Sequence, residues 1–564
     1  MNIKKYLTIW YRFPRLSLLF VTLPLLLLNS HQQSLLAYDE GYYADQARWI
    51  WETGDCLTPQ WWGQPIYDRT IGLQWLIALA YHLFGLNEFS VRLPSTIACI
   101  LSILLTYEIG KILFDRQIAW LGAAMLMLMA LWVLEVRMAT QNTLLVAVEL
   151  LGIWAILQII DRQSSDRSAT KIVNWGWGIV AGMSVGLGFI IKGFMIFVPI
   201  VALLPYLLFQ QRYRRLIANL GVYLGLIFGI IPTFLWLALS YQKYGAMPIQ
   251  DLVNKLLFLS KTDIYNPSPF YYVWNLPANI FPWALFSAIG AFIIIKKLLP
   301  GINYSAIALS LGYPISLFIL LSLFQTRMPY YTMQFLPFMA LLAATAFVKF
   351  TQISFNRSPY WYRFVSWLSY AFSGLGIILA IASVLVMTNQ QIGEIIITSE
   401  IKSYTIPALI LGCGWASIAI LWQRWQAPSL PYWLASWLVP AWFTIAAFGL
   451  QGAWTDKSPD FIATIHQPEI QSALIDKPVN LLIDTSEATG AKVAGYQERA
   501  LNGEELKTLI MLTFYTPHLG QKITNFGSLP DRSYAWTLGV SPQLSTQIRT
   551  IGKIYDWQLI QKIS

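Results

Sequence analysis

Long apolar stretches separated by short polar ones dominate this 564-residue chain up to about residue 450. A window of about 19 residues, close to the length that a helix needs to cross a bilayer, predicts thirteen spans. They cover residues 16–36, 92–113, 118–135, 143–160, 176–191, 193–209, 216–241, 277–295, 304–324, 331–349, 365–388, 404–422 and 431–450. The pattern therefore predicts a mainly α-helical, polytopic membrane protein.

Two N-terminal segments need a separate interpretation. The stretch 71–84, "IGLQWLIALAYHLF", is apolar but short, and Gly72 and Gly85 bound it, so we expect it to be interfacial or re-entrant. Basic residues precede the apolar run Leu16 to Leu28 in the manner of a secretory signal. No small-x-small cleavage site follows that run, and many spans come after it, which favours an uncleaved anchor.

The pattern changes from about Gln451, where the long apolar runs stop. The segments "VNLLIDTS", "YAWTLGV" and "WQLIQKI" resemble short strands, and Gly503 to Phe514 resembles a helix. We therefore predict a transmembrane domain over residues 1–450, with a first outer loop over 37–91, and a small mixed α/β domain over 451–564.

Composition agrees with a membrane protein and narrows the partners. Hydrophobic residues make up 56% of the chain and charged residues 12%, with a mean hydropathy of +0.52, which excludes an ordinary soluble protein. The net charge of +10 would suit nucleic acid, but the basic residues recur in short clusters between apolar runs. We therefore expect contacts with membrane lipids and no nucleic acid.

The basic clusters also predict an orientation, because cytoplasmic loops are enriched in Lys and Arg. Lys4, Lys5, Arg12, Arg15, Lys111, Arg116, Arg162, Arg167, Lys171, the "RYRR" of 212–215, Lys296, Lys297, Lys349, Arg357, Arg363 and Arg424 fall in alternate loops. The opposite loops, including 37–91, 242–276 and 389–403, then face outward. An odd number of spans places the C-terminus outside as well, which in a bacterial inner membrane is the periplasm.

Ionisable residues gather at the outer ends of the predicted spans, where they are costly and by default functional candidates. They are Asp39 and Glu40 after the first span, Asp68 and Arg69 in "IYDRTIG", Arg137 in "EVRMATQN", Lys192 in "FIIKGF" and Arg327 in "FQTRMPYY". Such a cluster suits an anionic lipid headgroup bound by cations, with a carboxylate placed to accept a proton. The alternatives are a solvated helix end for the acidic pair, a local salt bridge for Asp68 and Arg69, and snorkelling for the other cations.

The first outer loop resembles that of the C-type glycosyltransferases, the relatives of bacterial aminoarabinose transferase and protein O-mannosyltransferase. It reads "YDEGYYADQARWIWETGDCLTPQWWGQPIYDRTIGLQWLIALAYHLFGLNEFSVRLPS", and the Asp-Glu pair, the Gly-Asp turn and the closing Phe-Gly and Arg-x-Pro elements match in order and spacing. Further similarity lies in "LGFIIKGF", "PFYYVWNLPANIFPWALF" and "QTRMPYYTMQFLPFMALLAA". The resemblance covers about Tyr38 to Tyr331.

The resemblance implies an inverting transfer of a sugar from a polyprenyl-phosphate donor to a lipid, glycan or protein acceptor on the outer face. It implies that Asp39 is the catalytic base or orients the acceptor in its place, that Glu40 is its catalytic neighbour, and that Arg69, Lys192 and Arg327 bind the donor phosphate. Four residues complete the predicted site as supporting members, namely Asp68, Arg137, Tyr330 and Tyr331.

The chain departs from the family pattern at two places. Asp68 and Arg69 stand where relatives carry Glu-Lys, and "RMATQNTLL" offers Gln141 and Asn142 where many relatives have another acidic residue. A second carboxylate is then missing, and so is a full set of metal ligands, because loop 242–276 contains no His. We therefore assign no cofactor; a divalent metal is not required, and Asp68 is its one candidate ligand.

A transporter or flippase for a lipid-linked sugar is the alternative function. It predicts charged or broken helices near the bilayer midplane and two related halves. Glu108 and Glu149 are the clearest charges within spans, and no matching halves are visible. The crowding of charges at the outer ends favours the transferase. The sequence leaves the sugar and the acceptor open.

Overall fold

The computed structural model describes thirteen stretches of the chain. They are residues 12–30, 33–37, 39–160, 171–261, 268–299, 303–352, 359–389, 391–392, 395–424, 430–451, 459–483, 503–538 and 547–563. Tyr38 lies outside these stretches. The backbone of Asp39 is described, as the first residue of a helix, but its side chain is not.

Helices dominate the described residues, as predicted. The α-helices are α1 (Pro14–Leu27), α2 (Asp39–Thr53), α3 (Gly72–Phe84), α4 (Glu88–Leu113), α5 (Arg116–Leu126), α6 (Ala130–Val136), α7 (Gln141–Ile160), α8 (Lys171–Lys192), α9 (Phe197–Ala202), α10 (Leu204–Leu208), α11 (Tyr213–Ile217), α12 (Leu220–Tyr244), α13 (Met247–Lys261), α14 (Tyr271–Asn279), α15 (Trp283–Ile295), α16 (Tyr304–Ile307), α17 (Tyr313–Leu323), α18 (Leu336–Thr351), α19 (Pro359–Thr388), α20 (Ser399–Ser403), α21 (Thr405–Arg424), α22 (Leu430–Leu450), α23 (Pro459–Ile465), α24 (Pro468–Asp476) and α25 (Gly503–Tyr515). Short 3₁₀ segments include Gly193–Ile196 and Pro329–Phe335, and Ala308–Gly312 is π-helical.

Fewer spans can be counted among the described residues than the sequence predicts. Among the described residues, nine helices are long and apolar enough to cross a membrane, or eleven if each bent pair is one span. The bent pairs are α5 with α6, at 64°, and α14 with α15, at 107°. Helix α1, which overlaps the predicted span 16–36, has 14 residues. This count does not confirm thirteen spans, although the polytopic helical fold is confirmed.

The stretch 71–84 forms helix α3, whose 13 residues extend about 20 Å at 1.5 Å per residue. That length is too short for a hydrocarbon core of about 30 Å. One face of α3 is buried, whereas Leu76, Leu79 and Leu83 are exposed. A short helix with one exposed apolar face is the arrangement expected of an interfacial segment.

The chain reverses direction after α8, at the Lys192–Gly193 turn. Gly193 has a φ of 58°, a conformation that favours glycine. Phe189 and Phe197 then lie with ring centroids 6.2 Å apart, although eight residues of one continuous helix would separate them by about 12 Å. The run counted by length as one span, Val173–Ala202, therefore contains the predicted tight turn.

Close glycine contacts fix α8 against α12. A Cβ added at Gly182 would lie 2.1 Å from Val222 O, and one added at Gly225 would lie 2.1 Å from Ile179 O. Small residues let helix backbones approach this closely, as is common between membrane helices. The packing fixes the position of Lys192 at the C-terminal end of α8.

The C-terminal region forms a mixed five-stranded sheet flanked by helices. Its strands are β5 (Val479–Leu482), β6 (Leu519–Ile523), β7 (Tyr534–Leu538), β8 (Ile548–Ile554) and β9 (Trp557–Lys562), after two short hairpins, β1 (Gln60–Trp61) with β2 (Gln64–Pro65) and β3 (Gln391–Ile392) with β4 (Ile395–Ile396). The order is β6-β5-β7-β9-β8, with β5 parallel to β6 and β7 and with β9 antiparallel to β7 and β8. The small C-terminal sheet is confirmed, and it contains two strands, β6 and β8, that the sequence did not predict.

Arg48 of α2 joins this C-terminal sheet domain to the first outer loop. Its side chain is fully buried, and Nη1 donates to the carbonyl oxygens of Thr513 and Thr516 at 2.8 and 2.7 Å, while Nη2 donates to that of Pro517 at 2.7 Å. These carbonyls end α25 and would otherwise lack helical partners. The C-terminal domain and the first outer loop therefore lie on the same side of the helical bundle.

Candidate functional site

A buried ion pair anchors the beginning of α2, where Asp39 and Glu40 lie. Arg92 of α4 donates to Glu40 twice, from Nε to Oε1 at 2.8 Å and from Nη2 to Oε2 at 3.0 Å. The exposed fractions of the two side chains are 3% and 0%. Glu40 also accepts from the backbone N–H groups of Ala139 at 3.1 Å and Leu36 at 2.9 Å. Four donors thus occupy both carboxylate oxygens.

Arg92 also holds the segment that connects α1 to α2. Its Nη1 donates to the carbonyl oxygens of Ser30 and Gln33, at 2.5 and 3.0 Å, and Nη2 donates to that of Ser34 at 2.8 Å. Planar guanidinium groups suit such convergent acceptors. We infer from this geometry that Glu40 positions the start of α2, and its predicted catalytic role stays a prediction. Sequence reasoning matched Arg92 only as part of the Arg-x-Pro element.

Arg137, like Arg92, donates hydrogen bonds to backbone carbonyl groups near the end of α1. Its Nη1 donates to Leu25 O at 2.6 Å, and its Nη2 donates to Leu28 O at 2.6 Å and to Gln33 Oε1 at 3.3 Å. Leu25 and Leu28 lie at the C-terminal end of α1, where carbonyl groups lack helical partners. Arg137 is buried, and we infer that it caps the end of α1; its predicted supporting role in the site stays a prediction.

Asp68 and Arg69 form the first charged pair of the site. Arg69 donates from Nε and Nη2 to Asp68 Oδ2, at 3.0 and 2.8 Å, and its guanidinium carbon lies 4.9 and 4.7 Å from the ring centroids of Tyr42 and Tyr43. The Asp68 side chain is 1% exposed and that of Arg69 is 16% exposed. Two rings of α2 therefore orient Arg69 by cation–π contact, close to the helix that begins with Asp39.

Helix α13 adds Lys255, a cation that the sequence analysis missed. Burial lowers the pKa of the Lys255 ammonium, while nearby Asp68 raises it and nearby Arg69 lowers it further. One helical turn earlier, burial and the nearby Asp68 charge both raise the pKa of the Asp251 carboxyl. The two residues are an acid–base pair at i and i+4 in a polar stretch of loop 242–276, which is the signal that could have identified them.

Lys192 forms the second cationic centre. Its Nζ donates to Asn142 Oδ1 and lies 5.5 and 5.1 Å from the ring centroids of Tyr330 and Tyr331. The structure thus brings Lys192, at the end of α8, together with the two supporting tyrosines of the 3₁₀ segment Pro329–Phe335. The contact also gives Asn142 a function: it stands where relatives carry an acidic residue, and it faces the lysine as a neutral acceptor.

Hydrogen bonds tie the two cationic centres to each other. Thr70, next to Arg69, donates from Oγ1 to Ile191 O at 2.9 Å, next to Lys192. Gln141 Nε2 donates to Thr70 O at 3.0 Å. A Cβ at Gly72 would lie 2.7 Å from Ile190 O, so the backbones are in direct contact. Arg69 and Lys192 are therefore held in one fixed arrangement.

Arg327 lies at the edge of this group. Its Nε and Nη2 are 3.3 and 3.2 Å from Ser322 O, near the end of α17, and the side chain is half-buried. Tyr272 donates to the adjacent Met328 O at 3.1 Å. Its predicted phosphate contact stays a prediction, as does the role of Asp39, whose side chain is outside the described part of the structure.

The charges around Asp68 do not suit a metal ion. Within the described residues, no group of three or more His, Cys, Asp or Glu side chains is placed to hold one. Arg69 is bonded to Asp68, and Lys255 is an electrostatic neighbour; both cations repel a divalent ion. No step below depends on a metal.

Comparisons with known proteins agree with this reading. Residues 68–238 match the family model of dolichyl-phosphate-mannose-protein mannosyltransferase. An undecaprenyl phosphate-alpha-4-amino-4-deoxy-L-arabinose arabinosyl transferase of Pseudomonas aeruginosa (strain LESB58) is 25% identical over 452 residues, which are 77% of this chain and 76% of that protein. A relative of the same description in Pseudomonas fluorescens (strain Pf0-1) is 25% identical over 474 residues, or 82% and 77%.

The fold has close counterparts among solved structures. ArnT from Cupriavidus metallidurans in the apo state aligns with a TM-score of 0.71 at 17% identity, over all of this chain and 98% of that one. The same protein bound to undecaprenyl phosphate aligns with a TM-score of 0.71 at 17% identity, over 97% and 98%. Sequence matches and shared fold together support an integral membrane protein that is similar to the C-type glycosyltransferases.

Proposed function

We propose that the protein transfers a sugar from a polyprenyl-phosphate donor to an acceptor hydroxyl or phosphate at the outer face of the inner membrane, with inversion at the anomeric carbon. The observation that carries the proposal is the fixed group of Arg69, Lys255 and Lys192 beside the beginning of α2. Arg69 and Lys255 both lie near Asp68, and the segment of Lys192 is hydrogen-bonded to that of Arg69, so three cations from three separate segments are available to a phosphate. The names of the relatives support undecaprenyl phosphate as the lipid and aminoarabinose as the first sugar to test.

The reaction is a single displacement. An acceptor oxygen attacks the anomeric carbon, the bond from that carbon to the phosphate oxygen breaks, and its electron pair goes to the phosphate. Polyprenyl phosphate leaves with one more negative charge than it had in the donor. Cations aimed at the charge that develops stabilise the transition state more than the ground state. Arg69, Lys255, Lys192 and, at the edge, Arg327 supply that charge in this proposal.

Asp39 is the proposed base when the acceptor is a hydroxyl. It accepts the acceptor proton as the new glycosidic bond forms, a contribution of typically 10² to 10⁴ in rate. An acceptor phosphate is already deprotonated and needs less of this assistance. The role of Asp39 therefore depends on the acceptor, and its substitution helps to identify the acceptor class.

Asp45 offers a matched control for a test of Asp39. Both residues lie on α2, but burial raises the pKa of the Asp45 carboxyl well above its usual range, against the opposing effect of Arg48. Asp45→Asn therefore changes little charge, whereas Asp39→Asn removes the proposed base. Neither substitution changes side-chain size.

The experiment uses the purified full-length protein in lipid with undecaprenyl phosphate-aminoarabinose and, separately, an undecaprenyl phosphate hexose. Release of undecaprenyl phosphate and sugar transfer to lipid A or a hydroxyl acceptor are measured by mass spectrometry. We expect turnover by wild type and Asp45→Asn, and a loss of about 100-fold or more for Asp39→Asn with a hydroxyl acceptor. Translocation of the intact donor without its cleavage would instead identify a flippase.

A further inference from the structure

Glu135 is a buried carboxylate that the proposed reaction does not use. It lies in the last turn of α6, is 5% exposed, and its Oε2 accepts from Asn142 Nδ2 at 3.2 Å. Asn142 is 9% exposed and lies in the first turn of α7. On its other side, Asn142 Oδ1 accepts from Lys192 Nζ. The three side chains thus form the series Glu135, Asn142, Lys192.

The chemistry of the neighbours fixes the orientation of the Asn142 amide. A carboxylate only accepts hydrogen bonds and an ammonium only donates them. If the amide turned by 180°, its oxygen would face the Glu135 carboxylate and its NH₂ group would face the Lys192 ammonium. Both hydrogen bonds would then be replaced by repulsive contacts. The orientation therefore follows from the hydrogen-bonding chemistry of the two neighbours.

The turn between α6 and α7 is itself held in place. Ala139 N donates to Glu40 Oε1 at 3.1 Å, and Thr140 N donates to Ser95 Oγ at 3.2 Å. Glu135 and Asn142 flank this turn, so their separation is fixed by the same buried network that anchors α2. An amide placed in this way can hold the Lys192 ammonium in one direction.

The series also sets how close the Glu135 charge lies to Lys192. The Asn142 amide stands between the Glu135 carboxylate and the Lys192 ammonium. Because Coulomb energy falls with distance, a carboxylate one side chain away opposes the attraction of the ammonium for an anion less than one bonded to it directly. Glu135 therefore orients Lys192 through the amide.

We propose that Glu135 is a positioning residue for Lys192, acting through the Asn142 amide, and that this series sets the affinity of the site for the phosphate of undecaprenyl phosphate. The inference rests on the proposed function, because it takes Lys192 to contact that phosphate. It explains how the chain dispenses with an acidic residue at the 141–142 position: the carboxylate stands on the preceding helix.

The test measures binding of undecaprenyl phosphate to the purified full-length protein, so that it does not depend on turnover or on the sugar. Lys192→Ala should weaken binding by about 10- to 150-fold, the range for a lost charge-assisted hydrogen bond. Glu135→Met removes the acceptor for Asn142 and should weaken binding by about 2- to 10-fold. Glu135→Gln keeps an acceptor oxygen and should restore most of that loss. Asn142→Ala interrupts the same series and serves if Glu135→Met does not fold.

The decisive measurement is the double variant Glu135→Met/Lys192→Ala. A series of contacts predicts that it binds no more weakly than Lys192→Ala alone, whereas a general effect of Glu135 on the fold would add to the loss. Glu149→Met is the matched control. Glu149 is equally buried, at 5%, but it accepts from Tyr313 elsewhere in the bundle, and this variant should bind like wild type.

The outcomes separate this inference from the proposed function. Normal binding by Lys192→Ala would overturn both the inference and the assignment of Lys192 to the phosphate. Weak binding by Lys192→Ala with normal binding by both Glu135→Met and Asn142→Ala would overturn only the inference. Additive losses in the double variant, or an equal loss in Glu149→Met, would do the same.

Discussion

Replacing Glu40 by Gln is the sharpest test of how the beginning of α2 is built. Each oxygen of Glu40 accepts two hydrogen bonds, Oε1 from Arg92 Nε and Ala139 N, and Oε2 from Arg92 Nη2 and Leu36 N. In Gln, one oxygen becomes an NH₂ group, which can only donate. Whichever way the amide turns, two donors lose their acceptor, and the Arg92 charge is left buried without its counter-ion.

The expected effect on stability is large. Removing one partner of a buried ion pair typically costs about 3–5 kcal/mol, and the side chains here are 0% and 3% exposed, so solvent screens the pair little. Domain stabilities are about 5–15 kcal/mol. Glu40→Gln should therefore lower the thermal unfolding midpoint in detergent clearly, and it should reduce the yield of monodisperse protein.

The assay compares Glu40→Gln with Asp39→Asn in thermal unfolding and in sugar transfer. Asp39→Asn should keep the wild-type midpoint and lose activity, whereas Glu40→Gln should lower the midpoint, with activity falling in proportion to folded protein. The double variant Glu40→Gln/Arg92→Met removes both charges and should be less destabilised than the sum of the single variants. Glu40→Gln with a wild-type midpoint and the activity loss of Asp39→Asn would refute the reasoning and return Glu40 to the chemistry.

Three further predictions concern the cations and the C-terminal domain. Burial lowers the pKa of Lys255, so as pH rises this residue should lose its proton earlier than an ordinary lysine, and kcat/KM for the donor should fall. Lys255→Arg stays charged and should remove that fall. If kcat/KM of Lys255→Arg falls at high pH as in wild type, Lys255 does not bind the donor. Arg48→Met leaves the carbonyl groups at the end of α25 without their donor and should destabilise the docked C-terminal domain by about 3 kcal/mol or more. The measurement is limited proteolysis, which should cleave the chain after residue 451 faster than in wild type. A variant at an exposed arginine, Arg549→Met, is the control, and equal cleavage rates in the two variants would contradict the docking role of Arg48. A reporter enzyme that works only in the periplasm should be active when it is fused after Ser564. Activity of a reporter that works only in the cytoplasm would contradict the predicted orientation.

Much of the fold could be predicted because hydrophobic length is a local property. The apolar runs indicated helices wherever a bilayer-length segment was uninterrupted, and the limited length of α3 was visible in the sequence. Bends and breaks were not, because the 64° and 107° angles within predicted spans depend on packing. Strands β6 and β8 were missed for a related reason: their partners come from distant parts of the chain, and strand preference depends strongly on those partners.

The candidate site divides in the same way. Asp68, Arg69 and Lys192 could be recognised from motifs that lie on short, continuous segments. Lys255 could not, since only the folded chain places α13 beside Asp68. Nor does any motif state what a charged side chain touches, so the hydrogen bonds by which Glu40 and Arg137 hold the helix ends could not be predicted from the sequence.

The balance of charges at the site follows from what the proposed reaction must release. A donor phosphodiester carries about one negative charge, and the polyprenyl phosphate product carries about 1.5 to 2, so any cation that stabilises the transition state binds the product more tightly than the donor. Unopposed cations would therefore make product release slow. Here Asp68 is bonded directly to Arg69 and lies near Lys255, and Glu135 stands behind Lys192 through Asn142. Each cation is thus backed by a carboxylate that moderates its attraction, and the different distances of these carboxylates set how strongly each cation holds the leaving phosphate.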